Sequence, residues 1–278
     1  MHGPVRKVVD SNALQSPALR AYLSKSVSNF AVVTDYAAME AHKGDTLASI
    51  FASMALLTEF PKQVIVLKTT GVVCGLSGRQ AGLRRRLIDE KQTRGFPEYC
   101  KALHAAKLGD ASARRQLLDN GRVADEQMDR MLADAQNMPD TVRAISAGFT
   151  EAELKIIRTH APFSDQLIRK VHESVIALAQ ELYRRHPKPT AVRTRDELPN
   201  TFLFRTALCG FVLALDWIAV GGPKGVKITK IRNDIVDVNF ATYATYFDGL
   251  LSADEKPLRI YHRAAFVLDA ITSGPPSG

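Results

Sequence analysis

Short β-branched runs stand at the two ends of this chain, and the long stretch between them, from about Ser77 to Arg195, carries helix formers and almost no strand signal. Val5 to Val9 (VRKVV), Phe30 to Thr34 (FAVVT) and Gln63 to Leu67 (QVIVL) read as strands. A helix opens at Ser16-Pro17 and runs to about Ser26, and Tyr36 to His42 and Asp45 to Glu59 read as helices parted by Gly44. Strand alternating with helix predicts an α/β domain with a mostly parallel central sheet.

Helix punctuation recurs through the middle at Gly95-Phe96-Pro97, Gly109, Gly121, Met138-Pro139 and Gly148-Phe149. Thr150 and Glu153 have the spacing of a capping box, and a long helix is expected from Ser164 to Arg185, stopping before Pro187-Lys188-Pro189. Phe202 to Val220 is the most apolar stretch, but Arg205 and Asp216 interrupt it and would be costly in lipid, so it reads as a buried helix. Gly221-Gly222-Pro223 is a break, and Val226 to Ile231 (VKITKI) alternates as a half-buried strand would. Asn233 and Asp234 are suited to cap a helix reaching Phe247, Leu250 to Ser252 is a short strand, and Pro257 starts a last helix ending near Ile271. The simplest account is one α/β domain built from residues 1–78 and 196–278, with an all-helical insertion over 79–195 and a disordered tail from Ser273.

A chain that is 46% hydrophobic and 24% charged has the make-up of an ordinary folded protein. Its net charge of +8 is compatible with a polyanionic partner without demanding one. Cys74, Cys100 and Cys209 are widely spaced, which argues against a disulfide framework or a zinc site and fits a reducing cytoplasm. The first residues lack the apolar core of a signal peptide, and no membrane association is expected.

Asp10 ends the first strand, where ligands bind in parallel α/β sheets, although a turn or cap role would also explain it. Glu40 lies in the helix after the second strand, where a lone Glu is ordinarily solvated. Asp234 and Asp237 share one face of a helix start, where the macrodipole favours negative charge, and Asp254 follows the last strand. Carboxylates gathered at one sheet edge would raise one another's pKa unless a cation were bound, and all-oxygen ligands select Mg2+ or Mn2+.

VVDSN at 8–12, VVTDYAAMEA at 32–41 and DVNFATYATYFDGLLSAD at 237–254 resemble the PIN-domain nucleases, a family that includes many toxin ribonucleases. The resemblance covers roughly 1–75 and 225–270 and implies a PIN-like three-layer domain with metal-dependent phosphodiester hydrolysis of RNA or single-stranded DNA, RNA ahead of DNA. It implies that Asp10, Asp237 and Asp254 hold the metal, with Asp234 sharing or replacing the role of Asp237, and that Glu40 orients water or completes the shell. Asn12 and Ser252 would then steady the carboxylates.

Between Arg79 and Arg115 ten basic residues face four acidic ones, an excess of six out of the chain's +8. Arg84, Arg85 and Arg86 in this group, and Lys227, Lys230 and Arg232 with Lys224 before Asp234, are the expected phosphate contacts. A protein inhibitor or regulatory partner and self-association are compatible with such a nuclease. The competing readings are a non-catalytic nucleic-acid-binding or assembly protein on the same scaffold, and a small-molecule phosphohydrolase.

Overall fold

A computed structural model of the chain describes residues 3–43, 46–159, 161–186, 197–222 and 227–272. The Gly44 separator, the Pro187-Lys188-Pro189 stop, Pro223, Lys224, Val226 and the tail from Ser273 lie outside them. Four strands, β1 (Val5–Val9), β2 (Asn29–Val33), β3 (Val64–Val66) and β4 (Leu250–Leu251), form an all-parallel sheet in the order β3-β2-β1-β4. Parallel neighbours need long crossovers. Helix α1 (Pro17–Lys25), capped by the Ser16 hydroxyl, carries the chain from β1 to β2, and α2 (Asp35–His42) with α3 (Leu47–Glu59) carries it to β3.

All remaining helices precede β4 except the last. They are α4 (Thr70–Val73), α5 (Leu83–Leu87), α6 (Glu90–Leu108), α7 (Ala111–Ala135), α8 (Met138–Ala147), α9 (Glu151–Arg158), α10 (Asp165–Arg185), α11 (Phe202–Ala219) and α12 (Ile228–Ala244). Helix α13 (Glu255–Thr272) follows β4. Both halves of the Thr150/Glu153 capping box form at the start of α9. Among the described residues of 79–186 the only strand-like pairing is an antiparallel bridge of Ile88 to Leu67.

Two cores share these elements. Around the sheet Val8, Val32, Leu19, Leu57, Phe240 and Tyr243 are buried together, and Phe96, Leu103 and Leu117 of α6 and α7 join them. The second core surrounds α11, where Phe204, Leu208, Phe211 and Leu213 pack with Val142, Leu154 and Leu167 of α8 to α10 and Ile260 of α13. Residues 79–186 therefore divide between these two cores, while Ala124 and Met128 of α7 form a smaller cluster with Met39 of α2. Helix α11 is long and apolar enough to cross a membrane, but 72% of it is buried inside the protein. Its Arg205 is satisfied there, donating to the carbonyls of Thr245 (2.6 Å) and Pro199 (3.0 Å) and lying 4.0 Å from the centre of the Tyr246 ring.

The strand expected over 226–231 is instead helical from Ile228. Ile228, Ile231, Ile235 and Val238 recur at i, i+3, i+7 and i+10, so alternation over six residues concealed a helical period that continues for four turns. The consequence reaches the acids. Asp234 and Asp237 sit well inside α12, and neither caps it.

Gly78 packs closely against the backbone of Glu197. A Cβ there would stand 1.9 Å from the Glu197 carbonyl oxygen and 2.8 Å from its carbon, both backbone atoms with little room to yield. Gly78→Ala is expected to cost about 1–3 kcal/mol in urea denaturation. Gly71→Ala, whose Cβ meets nothing within 4 Å, is expected to be neutral or slightly stabilising. Equal effects at both positions would count against this contact.

Candidate active site

The chain runs outward from β1 to β2 to β3 and then returns to the other side of β1 as β4. That reversal makes the carboxyl edge between β1 and β4 the switch point, where in sheets of this kind the connecting helices diverge and leave a ligand crevice. Asp10 N–H donates to the Leu251 carbonyl at 2.9 Å, which sets Asp10 directly beside Ser252. The Ser252 hydroxyl donates to Asp10 Oδ2 at 2.6 Å and accepts from the Asp254 N–H at 3.0 Å. Asn12 spans the same gap, its Nδ2 donating to Asp254 Oδ2 at 2.8 Å while its Oδ1 accepts from Ala253 N–H at 3.0 Å. Asp10 and Asp254, 244 positions apart in sequence, are thus joined through two neutral side chains.

Asp10 is only 3% exposed, and its side chain makes no capping bond to the turn that it opens. Burial raises its pKa above the usual carboxylate value, the bonds from Ser252 and Ser11 pull it back, and the charge of Asp254 adds to the rise. Asp254 itself is exposed at the mouth.

Helix α12 brings two more acids. Asp234, buried, accepts from Trp217 Nε1 at 3.1 Å on one oxygen and from the Lys256 ammonium on the other. Asp237, one turn on, has Lys256 Nζ at 4.0 Å as its nearest cation and, among the described residues, no hydrogen bond. Desolvation pushes its pKa up to about 7; Lys256 opposes the rise, and the charges of Asp10, Asp234 and Asp254 reinforce it. Four carboxylates therefore share one field with, among the described residues, the single ammonium of Lys256 between them. Even so, among the described residues no group of three or more acidic, histidine or cysteine side chains is gathered closely enough to hold a metal ion.

Glu40 stands apart. Its ion pair is to Lys43 on its own helix at 3.9 Å, and nothing among the described contacts ties it to the other four acids. The acid at the carboxyl end of β2 is Asp35, which accepts from the Thr70 N–H (2.6 Å) and hydroxyl (2.8 Å) and so pins the loop after β3. Burial raises its pKa and the Thr70 bonds lower it. The strand-end rule that finds Asp10 also finds Asp35. Lys256 has a weaker signal, a lysine two residues past Asp254 in the first turn of a helix.

The arginine triplet is largely engaged in structure. Arg84 pairs with Asp248 at 3.0 Å, Arg85 with Glu90 at 3.0 Å, and Arg86 donates to the carbonyls of Ser77, Arg79 and Ala81. Beside them Lys68 and Arg79, with no ion pair among the described residues, line a hollow of about 480 Å³ together with Arg85 and Arg86. Lys227 and Lys230 are exposed at the start of α12, and the Arg232 guanidinium donates to Asn233 Oδ1 at 2.9 Å. No family model, curated protein or solved structure matches the chain.

Two measurements test the acid cluster in protein free of divalent ions. Asp237 has a native pKa near 7 against an ordinary 3.8, so between these values the native state binds more protons and stability falls as pH rises. Asp237→Asn is expected to exceed wild type above about pH 7 by a few kcal/mol at most, with the difference vanishing below about pH 4. Parallel stability curves would show that Asp237 is not perturbed. Lys256→Met leaves Asp234 buried beside Trp217 without a cation and is expected to cost about 3 kcal/mol, with a shift in the emission of the chain's single tryptophan.

Proposed function

We propose that this chain is a nuclease on a PIN-like scaffold, hydrolysing phosphodiester bonds of RNA or single-stranded DNA with Mg2+ or Mn2+ at the β1–β4 switch point. One observation carries the reading: Asp10, Asp237 and Asp254 act on one another's charge at that sheet edge, and among the described residues Asp237 has no hydrogen-bonded partner to balance its own. The donor set suits a hard ion in kind, since every candidate ligand is a carboxylate oxygen. It is not drawn together around a single point, so binding would require the side chains to close in.

Asp10, Asp237 and Asp254 would hold the ion, and Glu40 is left out of the set. A bound divalent ion supplies a nucleophilic water at neutral pH and charge neutralisation at the scissile phosphate. The protein's own part is positional. Ser252 and Asn12 fix the rotamers of Asp10 and Asp254, and Lys256 holds Asp234 against Trp217, so Asp234 sets the pitch of α12 beneath Asp237. Lys68 and Arg79, together with Lys227 and Lys230, are the cations available for phosphates, and contacts of that kind weaken steeply with salt.

A second reading has its own observation. Lys256 already supplies a cation within the acid cluster, as a non-catalytic nucleic-acid-binding protein could retain. Cleavage separates the two. A single-stranded oligoribonucleotide is expected to be cut in Mn2+ or Mg2+, not in EDTA, with Asp10→Asn and Asp254→Asn abolishing turnover while circular dichroism is unchanged. Ser252→Ala is expected to lower activity about 10- to 100-fold. Binding that survives EDTA, without cleavage under any metal, would favour the second reading.

A further inference from the structure

Helices α9, α10, α11 and α13 enclose a pocket of about 860 Å³ on the side of the second core. Packed interiors leave few voids larger than a water molecule, whereas small-molecule sites span roughly 300–1,000 Å³ and are mostly apolar with a few polar groups at fixed places. This pocket has that make-up. Phe163, Val171, Leu208, Phe211, Leu215 and Val267 line it. Its rim includes Phe266 and Ile168, which remain 76% and 53% exposed. These are large apolar side chains with nothing over them in the described protein, and they continue the apolar lining outward to solvent.

The charged groups on its lining are Asp216 and Arg263, joined by His172 and His262. Asp216 Oδ1 accepts from Arg263 Nη1 at 2.6 Å, and Asp216 Oδ2 accepts from Arg259 Nε at 3.1 Å. Both oxygens of the single carboxylate are engaged, and two guanidiniums surround it, which leaves one positive charge in excess. Arg263 uses one of its five N–H donors on Asp216, so the others can meet a second carboxylate.

We propose that this pocket binds a single-chain amphiphile with a carboxylate head, the alkyl chain lying between α10 and α13 and the head meeting Arg263. The combination of features selects this class. A purely apolar ligand would leave the excess charge at Arg263 unanswered, and a compact polar anion would leave the apolar volume unfilled. The site lies apart from the acidic crevice, and the inference does not rest on the nuclease reading.

Isothermal titration with decanoate below its micelle concentration is the test, with decan-1-ol as the head-group control. The expected result is one saturable site for decanoate and binding of decan-1-ol about tenfold weaker or more. Arg263→Met should bring the two ligands to within about twofold of each other, since only the carboxylate loses a partner. Ala270→Trp, from an exposed position on the pocket wall, should abolish binding of both with the thermal midpoint retained; Phe266→Glu at the rim serves if that variant fails to fold. Absence of saturable binding would overturn the proposal, as would decan-1-ol binding as tightly as decanoate or indifference to both wall variants. A dimer broken by Phe266→Glu, in protein that takes up no decanoate, would overturn it in favour of a second copy of the chain on this face.

Discussion

Backbone hydrogen bonds along one seam, among them Val8 N–H to the Gly249 carbonyl, Asp10 N–H to the Leu251 carbonyl and Asp248 N–H to the Arg6 carbonyl, hold the last strand against the first. They close a connection running from β3 through nine helices among the described residues, yet such length is not itself the difficulty, because closure entropy grows by only about 0.6 kcal/mol per doubling of a flexible loop. A few such hydrogen bonds at about 1 kcal/mol each could not by themselves hold an edge strand of two residues in place. The holding is done by α12 and α13. Phe240, Tyr243 and Ala244 lie fully buried under the sheet, and large apolar side chains each contribute roughly 1.5–3 kcal/mol when removed from water. Without that packing Asp254 would have no fixed relation to Asp10, and the crevice would not exist.

The acids at the crevice show two ways of placing charge inside a protein. Asp234 is deeply buried and doubly hydrogen-bonded, and a pair of this kind gains little net stability because desolvation offsets attraction. What it gains is geometry, since Trp217, Asp234 and Lys256 lock α11, α12 and α13 in one register. Asp237 is the opposite case. It is desolvated by the same helices, lies 4.0 Å from the same ammonium, and has three other carboxylates acting on it. One lysine cannot neutralise both aspartates, and the deficit falls on the residue that faces the crevice.

Much of the sheet was legible because its strands are short and β-branched and separated by ordinary helix signals, and Asp10 and Asp254 were legible because strand ends are special places in such sheets. The start of α12 was not. Six alternating residues satisfy a strand, and the isoleucines that reveal the helix extend beyond them. That misreading made Asp234 and Asp237 look like helix-start acids, whereas burial and Lys256 govern both. Lys256 is only weakly legible, since its role depends on where the first turn of α13 lies against α12. The arginine triplet misled for a related reason. Composition counts charges but not the carbonyls and carboxylates that engage them, and Arg86 is largely consumed in holding the loop at 77–81. Glu40 is legible only through resemblance, whereas Asp35 stands just beyond the end of β2.

Helix α12 is the element on which these separate facts converge. One of its faces supplies Phe240 and Tyr243 to the sheet core and another supplies Ile231 and Val238 to the α11 core, so it is held from two sides. A helix held in this way cannot rotate to give Asp237 a better partner, and the carboxylate stays underserved because both cores outweigh it. Its first turn carries exposed Lys227 and Lys230, where the macrodipole disfavours cations, so helix stability does not explain them. On the function proposed above, a phosphodiester would relieve the positive charge at the helix start and a divalent ion the unbalanced carboxylate in its middle, about two turns apart on the same rigid rod.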